Sequence, residues 1–226
     1  DKFRQCGGWL IKAAWGYRLT PAARKAADEA LAAFSGCHDF SRFTEKEKLE
    51  TEYRDRTRRT VKHFEVYGGG GGDGGSGGGI EMVQLRVTGS SFMYHQIRKM
   101  VFVALATILS RLDPMETVHA SLSGRKLPGA TGSELLLAPG ELLLLREIHL
   151  SDDAAVCLEE ATASAYGGED RADALNRLRL EFKSERIYRK AKEVGLPALE
   201  RWLPDLAFVA RNMANAAARL QHTRRV

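Results

Sequence analysis

Residues 89–109 read G-S-S-F-M-Y-H-Q-I-R-K-M-V-F-V-A-L-A-T-I-L. Met93, Ile97, Met100, Val101, Ala104, Leu105 and Ile108 recur at helical spacing, and from Met100 to Leu109 nearly every side chain is apolar. The pattern predicts a helix from about Ser91 to Leu109, buried on most sides. Gly89 supplies a turn before it, and Ser90 and Ser91 offer an N-cap. Arg98 stands one turn before the most apolar part, with Tyr94, His95 and Phe102 as its helical neighbours. A cation against such a wall is costly unless something anionic meets it. Three readings stay open for Arg98: a structural ion pair, a catalytic or substrate contact, or snorkelling of the charge into water.

The totals bound the rest. A chain of 226 residues with 44% hydrophobic content can bury a substantial core as one large or two small domains. A formal charge of +5 is compatible with nucleic acid as a partner without requiring it. Cys6, Cys37 and Cys157 are odd in number, far apart and without CxxC spacing, which points to a reducing compartment and away from a zinc site. The apolar run from Met100 to Leu109 is too short to span a bilayer, and His95, Arg98 and Lys99 flank it. The chain opens on Asp1 rather than methionine and shows no signal peptide, so it is expected to be a fragment.

Outward from the central stretch, Trp9 and Trp15 read as packing residues in an irregular opening segment. Thr20 and Pro21 start an alanine-rich helix that should run to Phe34 and stop at Gly36. In C-H-D-F-S-R-F, residues 37–43, Asp39 can cap a tight turn anchored by Phe40 and Phe43; a catalytic loop is the alternative. Residues 45–59 form a mixed charge run, expected to be a solvated face, with a basic end at Arg54, Arg56, Arg58 and Arg59.

Val61, Phe64 and Val66 lead a strand into a glycine block, residues 68–79, broken by Asp73 and Ser76. No helix with a Lys-Ser or Lys-Thr follows, so these glycines read as a flexible insert and not a phosphate loop. The alternation of residues 80–87 supplies the returning strand. Residues 114–122 read as a short helix closed by Gly124, and residues 135–137, 142–145 and 146–150 as strand-like runs. Beyond Ser151, residues 169–192 and 196–219 look helical, with Pro197 and Pro204 as interruptions. Leu178, Phe182, Ile187 and Tyr188 should dock on the main domain, and Arg224 and Arg225 make the tail basic.

The segment V-T-G-S-S-F-M-Y-H-Q-I-R-K-M-V resembles the carboxyl-terminal signature of the TruA-type tRNA pseudouridine synthases, in its eukaryotic wording. Other pieces agree in order: Y-R-L-T-P leading to G-C-H-D-F-S-R-F, then R-T-R-R-T-V, then L-A-P-G-E-L-L-L-L-R-E-I-H-L. The later E-F-K-S-E-R-I-Y and R-W-L-P-D-L are similar to the family's eukaryotic carboxyl-terminal helices. The resemblance covers roughly residues 17–206. It implies isomerisation of uridine to pseudouridine in tRNA, without cofactor or metal, through an aspartate that attacks a uridine taken out of its stack. Arg98 matches the family arginine that pairs with that aspartate. Leu143 is the closest match to the leucine that packs on the turned base, with Glu141 and Leu142 replacing the usual residues before it. The family's T-D-x-G-x-H-A loop, which carries the aspartate, occurs nowhere in this sequence.

The expectation is therefore an α+β fold in which an antiparallel sheet, from about Val61 to Leu150, is packed by the central helix. Residues 1–150 would be the carboxyl-terminal half of the catalytic domain, and residues 151–226 a helical extension packed on it. Expected RNA contacts are Arg54, Arg56, Arg58, Arg59, His95 and Lys99. Expected partners are tRNA, the amino-terminal half of the same domain, and a second copy of the chain through uncovered surface; a membrane is not among them. An intracellular place is expected, in nucleus or mitochondrion, with cytoplasm as the alternative. The rival reading is a non-catalytic RNA-binding or scaffolding module that keeps the fold and has lost the chemistry.

Overall fold

The computed structural model describes residues 19–54, 56–68, 83–125, 127, 135–144 and 189–223. Trp9, Trp15, the glycine block beyond Gly68, the run at 145–150, the docking residues Leu178, Phe182, Ile187 and Tyr188, and the tail arginines Arg224 and Arg225 lie outside them. In chain order the elements are helix α1 (Pro21–Ala32), strand β1 (Gly36–Asp39), a 3-10 turn (Ser41–Phe43) and the short helix α2 (Lys46–Lys48), which runs into a π turn (Leu49–Tyr53). Strands β2 (Arg58–Gly68) and β3 (Gln84–Gly89) follow, then helices α3 (Gln96–Ser110), α4 (Pro114–Leu122) and α5 (Arg189–Thr223). The chain divides into two compact units, one made of Asp1–Gly140 with Leu199–Val226, the other of Glu141–Ala198.

The fold is α+β. Its sheet is antiparallel in the order β1-β2-β3. Phe64, Glu65 and Val66 face Val87, Arg86 and Leu85, and the register shifts between Val61 and His63. Val61 and Phe64 have opposite parity and would point to opposite faces of a regular strand. The irregularity at Lys62 restores them to one side, and Val61, Phe64 and Val66 are all buried while Lys62 and His63 are exposed. Helix α1 lies directly on β2. Its Asp28 accepts a hydrogen bond from the Val66 N–H at 2.8 Å, and its Arg24 donates to the Val66 carbonyl at 2.7 Å. Helix side chains thus satisfy the backbone of β2 beyond the end of β1.

The core is aromatic where the turn predicted at residues 37–43 folds in. Phe34, Phe40 and Phe43 are fully buried, with Phe43 edge-on to Phe34 at 5.8 Å and to Phe40 at 5.4 Å. Removing one such ring costs about 3–5 kcal/mol. Asp39 caps the turn as expected, accepting from the Ser41 N–H at 2.8 Å. Residues 36–39 are also a strand, which G-C-H-D does not announce: it has no apolar alternation, and pairing with Arg58–Val61 forms it.

The central helix starts later than expected, at Gln96, and its N-cap is His95, not Ser90 or Ser91. Ser90 is still bound to the sheet, donating its N–H to the Thr60 carbonyl at 3.2 Å. The Met93 N–H is met by the buried Gln96 side chain at 2.8 Å. Met100, Phe102, Val103, Ala104 and Ala106 are buried, so α3 is enclosed on most sides, by α1, α4 and the 3-10 turn.

Three more expectations are corrected. Helix α1 ends at Ala32, because the chain turns through Ala33 to reach Gly36, whose φ of +114° suits glycine. Residues 135–144 form no strand: Gly140–Leu142 is a 3-10 turn, and Pro139 has no N–H to give a ladder. Pro197 and Pro204 do not interrupt α5, which runs on from Arg189 to Thr223. Each proline removes one helical hydrogen bond. Burial of Trp202, Leu206 and Met213 in the main core offsets that loss around Pro204.

Candidate active site

Arg98 lies in the first turn of α3, half-buried. Its Nε donates to the Ala138 carbonyl at 2.5 Å, while the Ala138 N–H donates to the Arg98 carbonyl at 3.4 Å. A Cβ on Gly140 would sit 3.4 Å from the Arg98 Cζ and Nη1, so the A-P-G stretch lies against the guanidinium. No hydrogen-bond partner meets the two Nη groups among the described residues. The planar fork is therefore aimed by its Nε and open at its end, the arrangement that receives a carboxylate through two parallel N–H···O bonds.

The turn that carries Arg98 is pinned from several sides. Lys99 is buried, and its Nζ donates to the Thr44 carbonyl at 2.6 Å and the Arg42 carbonyl at 3.2 Å. Its charge is directed inward, tying α3 to the 3-10 turn. His95 has a left-handed backbone, φ +65°, and its ring stacks on Tyr94 with centroids 3.8 Å apart. Its Nδ1 lies 3.1 Å from Glu45 Oε1, within ion-pair range but without the alignment of a hydrogen bond. Burial, helped by the nearby Arg98 and Lys99, pulls the His95 pKa below its ordinary value, with Glu45 opposing. The Tyr53 hydroxyl accepts from the Tyr94 N–H at 3.0 Å.

Glu45 and Tyr53 are the residues that sequence reasoning missed. They sit inside a charge run that reads as plain solvated surface, and only the fold brings them under the start of α3.

Of the basic residues, Arg54, Arg56 and Arg58 are exposed. Arg59 is turned back on its own chain, donating to the carbonyls of Arg56 at 2.6 Å and Arg58 at 2.9 Å. Asp39, Ser41, Leu49, Glu50, Arg54 and Thr57 line an open groove of about 580 Å³. Burial there raises the Asp39 pKa, but hydrogen bonds from Ser41 and Thr57, with the charge of Arg58, outweigh it and hold the carboxyl below its usual range. Leu143 falls in the second unit and is exposed. Its neighbour Leu142 lies over Gly195 of α5, where any Cβ would collide. Among the described residues no cluster of His, Cys, Asp and Glu could hold a metal ion, and no helix is long and apolar enough to cross a membrane.

The tRNA pseudouridine synthase family model matches residues 30–143, half of the chain, a span that holds the sheet, α3 and Arg98; the chain belongs to that family. Among curated proteins it is similar to the pseudouridylate synthase 1 homologs of Mus musculus and Homo sapiens, each 27% identical over 177 residues. Those matches cover 76% of this chain and 36% of each relative, so the chain matches about a third of their length.

Proposed function

We propose that this chain supplies the arginine-bearing half of a tRNA pseudouridine synthase site. The nucleophilic aspartate would come from a T-D-x-G-x-H-A loop that this sequence does not contain. The observation that carries the reading is the Arg98 fork, fixed at Nε and, among the described residues, open at both Nη groups. In the proposed reaction the uridine leaves its stack and the aspartate attacks it, and the bond the carboxylate makes is broken again as C5 is rejoined to the ribose, which returns the free carboxylate. The bond between N1 and C1′ breaks, the base turns, and a bond forms between C5 and C1′. The C5 proton leaves and N1 gains one, so the product is an isomer. Arg98 keeps the attacking carboxylate ionised and oriented, because an adjacent cation favours the charged form.

Exposed Arg54, Arg56 and Arg58 would contact tRNA phosphates. Leu143 would pack against the turned base. Val83 and Leu85 are exposed at or beside β3, an edge strand among the described residues, which supports a partner strand there. The aspartate-bearing half would supply it, or a second copy of this chain when that half is absent. We place the whole protein inside the cell, in nucleus or mitochondrion, with cytoplasm as the alternative.

The test is pseudouridine formation on tRNA by this chain alone, by the aspartate-bearing half alone, and by the two together. Activity is expected only in the combination. RNA binding without any isomerisation in the combination would instead favour the scaffolding reading.

A further inference from the structure

We propose that His95 is the positioning residue for Arg98, acting through its backbone and its ring together; the inference rests on the reading of Arg98 given above. His95 stands at the N-cap of α3 with φ +65°, and no side chain caps the helix there. Few non-glycine residues occupy this left-handed region, and histidine does so more readily than most. The His95 carbonyl accepts the Lys99 N–H at 3.1 Å, so the turn that holds Arg98 begins at this residue. A sparsely populated backbone conformation persists only where its surroundings fix it. Here the ring is held between Tyr94, stacked at 3.8 Å, and Glu45, at 3.1 Å from Nδ1, with its side chain only 10% exposed.

The charged groups facing the ring are Glu45 from the turn before α2, and Arg98 and Lys99 from α3. Glu45 is thus the anion beside the His95 ring, 3.1 Å from Nδ1, while the guanidinium one turn further on is left for the nucleophile. If His95 relaxed out of the left-handed region, the start of α3 would rotate. The Arg98 fork would then leave the direction that its bond to Ala138 sets. Misplacing a catalytic group by about 1 Å costs on the order of 100-fold in rate.

The experiment measures single-turnover rate, KM and tRNA affinity in the full-length protein, which on the reading above joins this chain to the aspartate-bearing half. It compares wild type with His95→Ala, His95→Asn, His95→Gly, Glu45→Gln and Arg98→Ala. His95→Ala should lose roughly 10- to 100-fold in kcat with KM and tRNA affinity nearly unchanged. His95→Asn should recover most of the rate, since asparagine tolerates the left-handed backbone and can donate to Glu45. His95→Gly keeps the backbone freedom without the ring and should fall between them, as should Glu45→Gln. If His95→Ala does not fold, the comparison of His95→Asn with His95→Gly still decides. A wild-type rate in His95→Ala or His95→Gly, with Arg98→Ala inactive, overturns the inference and leaves the role of Arg98 standing. An active Arg98→Ala protein overturns both.

Discussion

Arg98 and Ala138 hold each other twice, side chain to carbonyl at 2.5 Å and N–H to carbonyl at 3.4 Å. The first bond uses Nε alone. A guanidinium anchored this way keeps one free edge and one fixed direction, which a flexible ammonium cannot reproduce. The A-P-G stretch, with no strand to build, thereby aims the fork that the site requires.

Lys99, an expected RNA contact, is buried with its ammonium on the Thr44 and Arg42 carbonyls, and its loss should weaken the fold before it weakens RNA binding. Lys99→Met keeps the apolar stem but leaves the Thr44 and Arg42 carbonyls without its ammonium. The loss should be about 1.5–3 kcal/mol, the range for hydrogen bonds to a charged group. Urea unfolding would measure it, and tRNA affinity should stay within about twofold. A large loss of affinity at unchanged stability would assign Lys99 to RNA instead.

Gly89 is required by close approach. A Cβ there would fall 2.7 Å from the Thr60 carbonyl oxygen and 2.8 Å from Phe92 Cζ. Gly89→Ala should therefore destabilise by about 1–3 kcal/mol, the usual cost of overpacking. Calorimetry should show a lower Tm, whereas an unchanged Tm would contradict the close approach of the Thr60 carbonyl.

RNA contact should follow exposure along the basic run. Arg54→Ala, Arg56→Ala and Arg58→Ala should each reduce the slope of log affinity against log salt by about 1. Arg59→Ala should change it less, because Arg59 is half-buried and bonds the Arg56 and Arg58 carbonyls at 2.6 and 2.9 Å, closer than the 3.3 and 3.4 Å carbonyl contacts of Arg54 and Arg58. Titrations at several salt concentrations separate the four, and equal effects would contradict this placement.

His95 binds a proton less readily in the fold than in the unfolded chain. Its contribution is complete above the ordinary histidine pKa of about 6.5 and is lost as pH falls through and below it, because the unfolded state then takes up the proton first. His95→Asn should flatten the stability profile in that window. An identical acid slope in wild type and variant would show that His95 does not contribute.

The sequence made the α+β class, the two longer strands, the N-cap at Thr20 and the helix beginning at Pro114 legible, because periodicity and local chemistry alone set them. It also pointed to Arg98, since a cation in an apolar face needs a reason. What it hid is set by distant contacts. G-C-H-D becomes a strand only by pairing with Arg58–Val61. The helix start moved from Ser91 to Gln96 because Ser90 stays bound to Thr60 and His95 takes the left-handed turn. Leu-rich residues 135–144 suggested a strand, but Pro139 and Gly140 make a turn that faces Arg98. Glu45 and Tyr53 carry no local sign of their place beneath that helix.

The most direct measurement is pseudouridine formation on tRNA by the full-length protein with Arg98→Lys and Arg98→Ala beside wild type. Lysine keeps the charge but has neither the Nε bond to Ala138 nor the fork. Both variants should bind tRNA, unfold at nearly the wild-type temperature and lose nearly all activity, the lysine variant almost as completely as the alanine one. A fully active Arg98→Ala protein, or isomerisation by this chain without the aspartate-bearing half, would contradict the account.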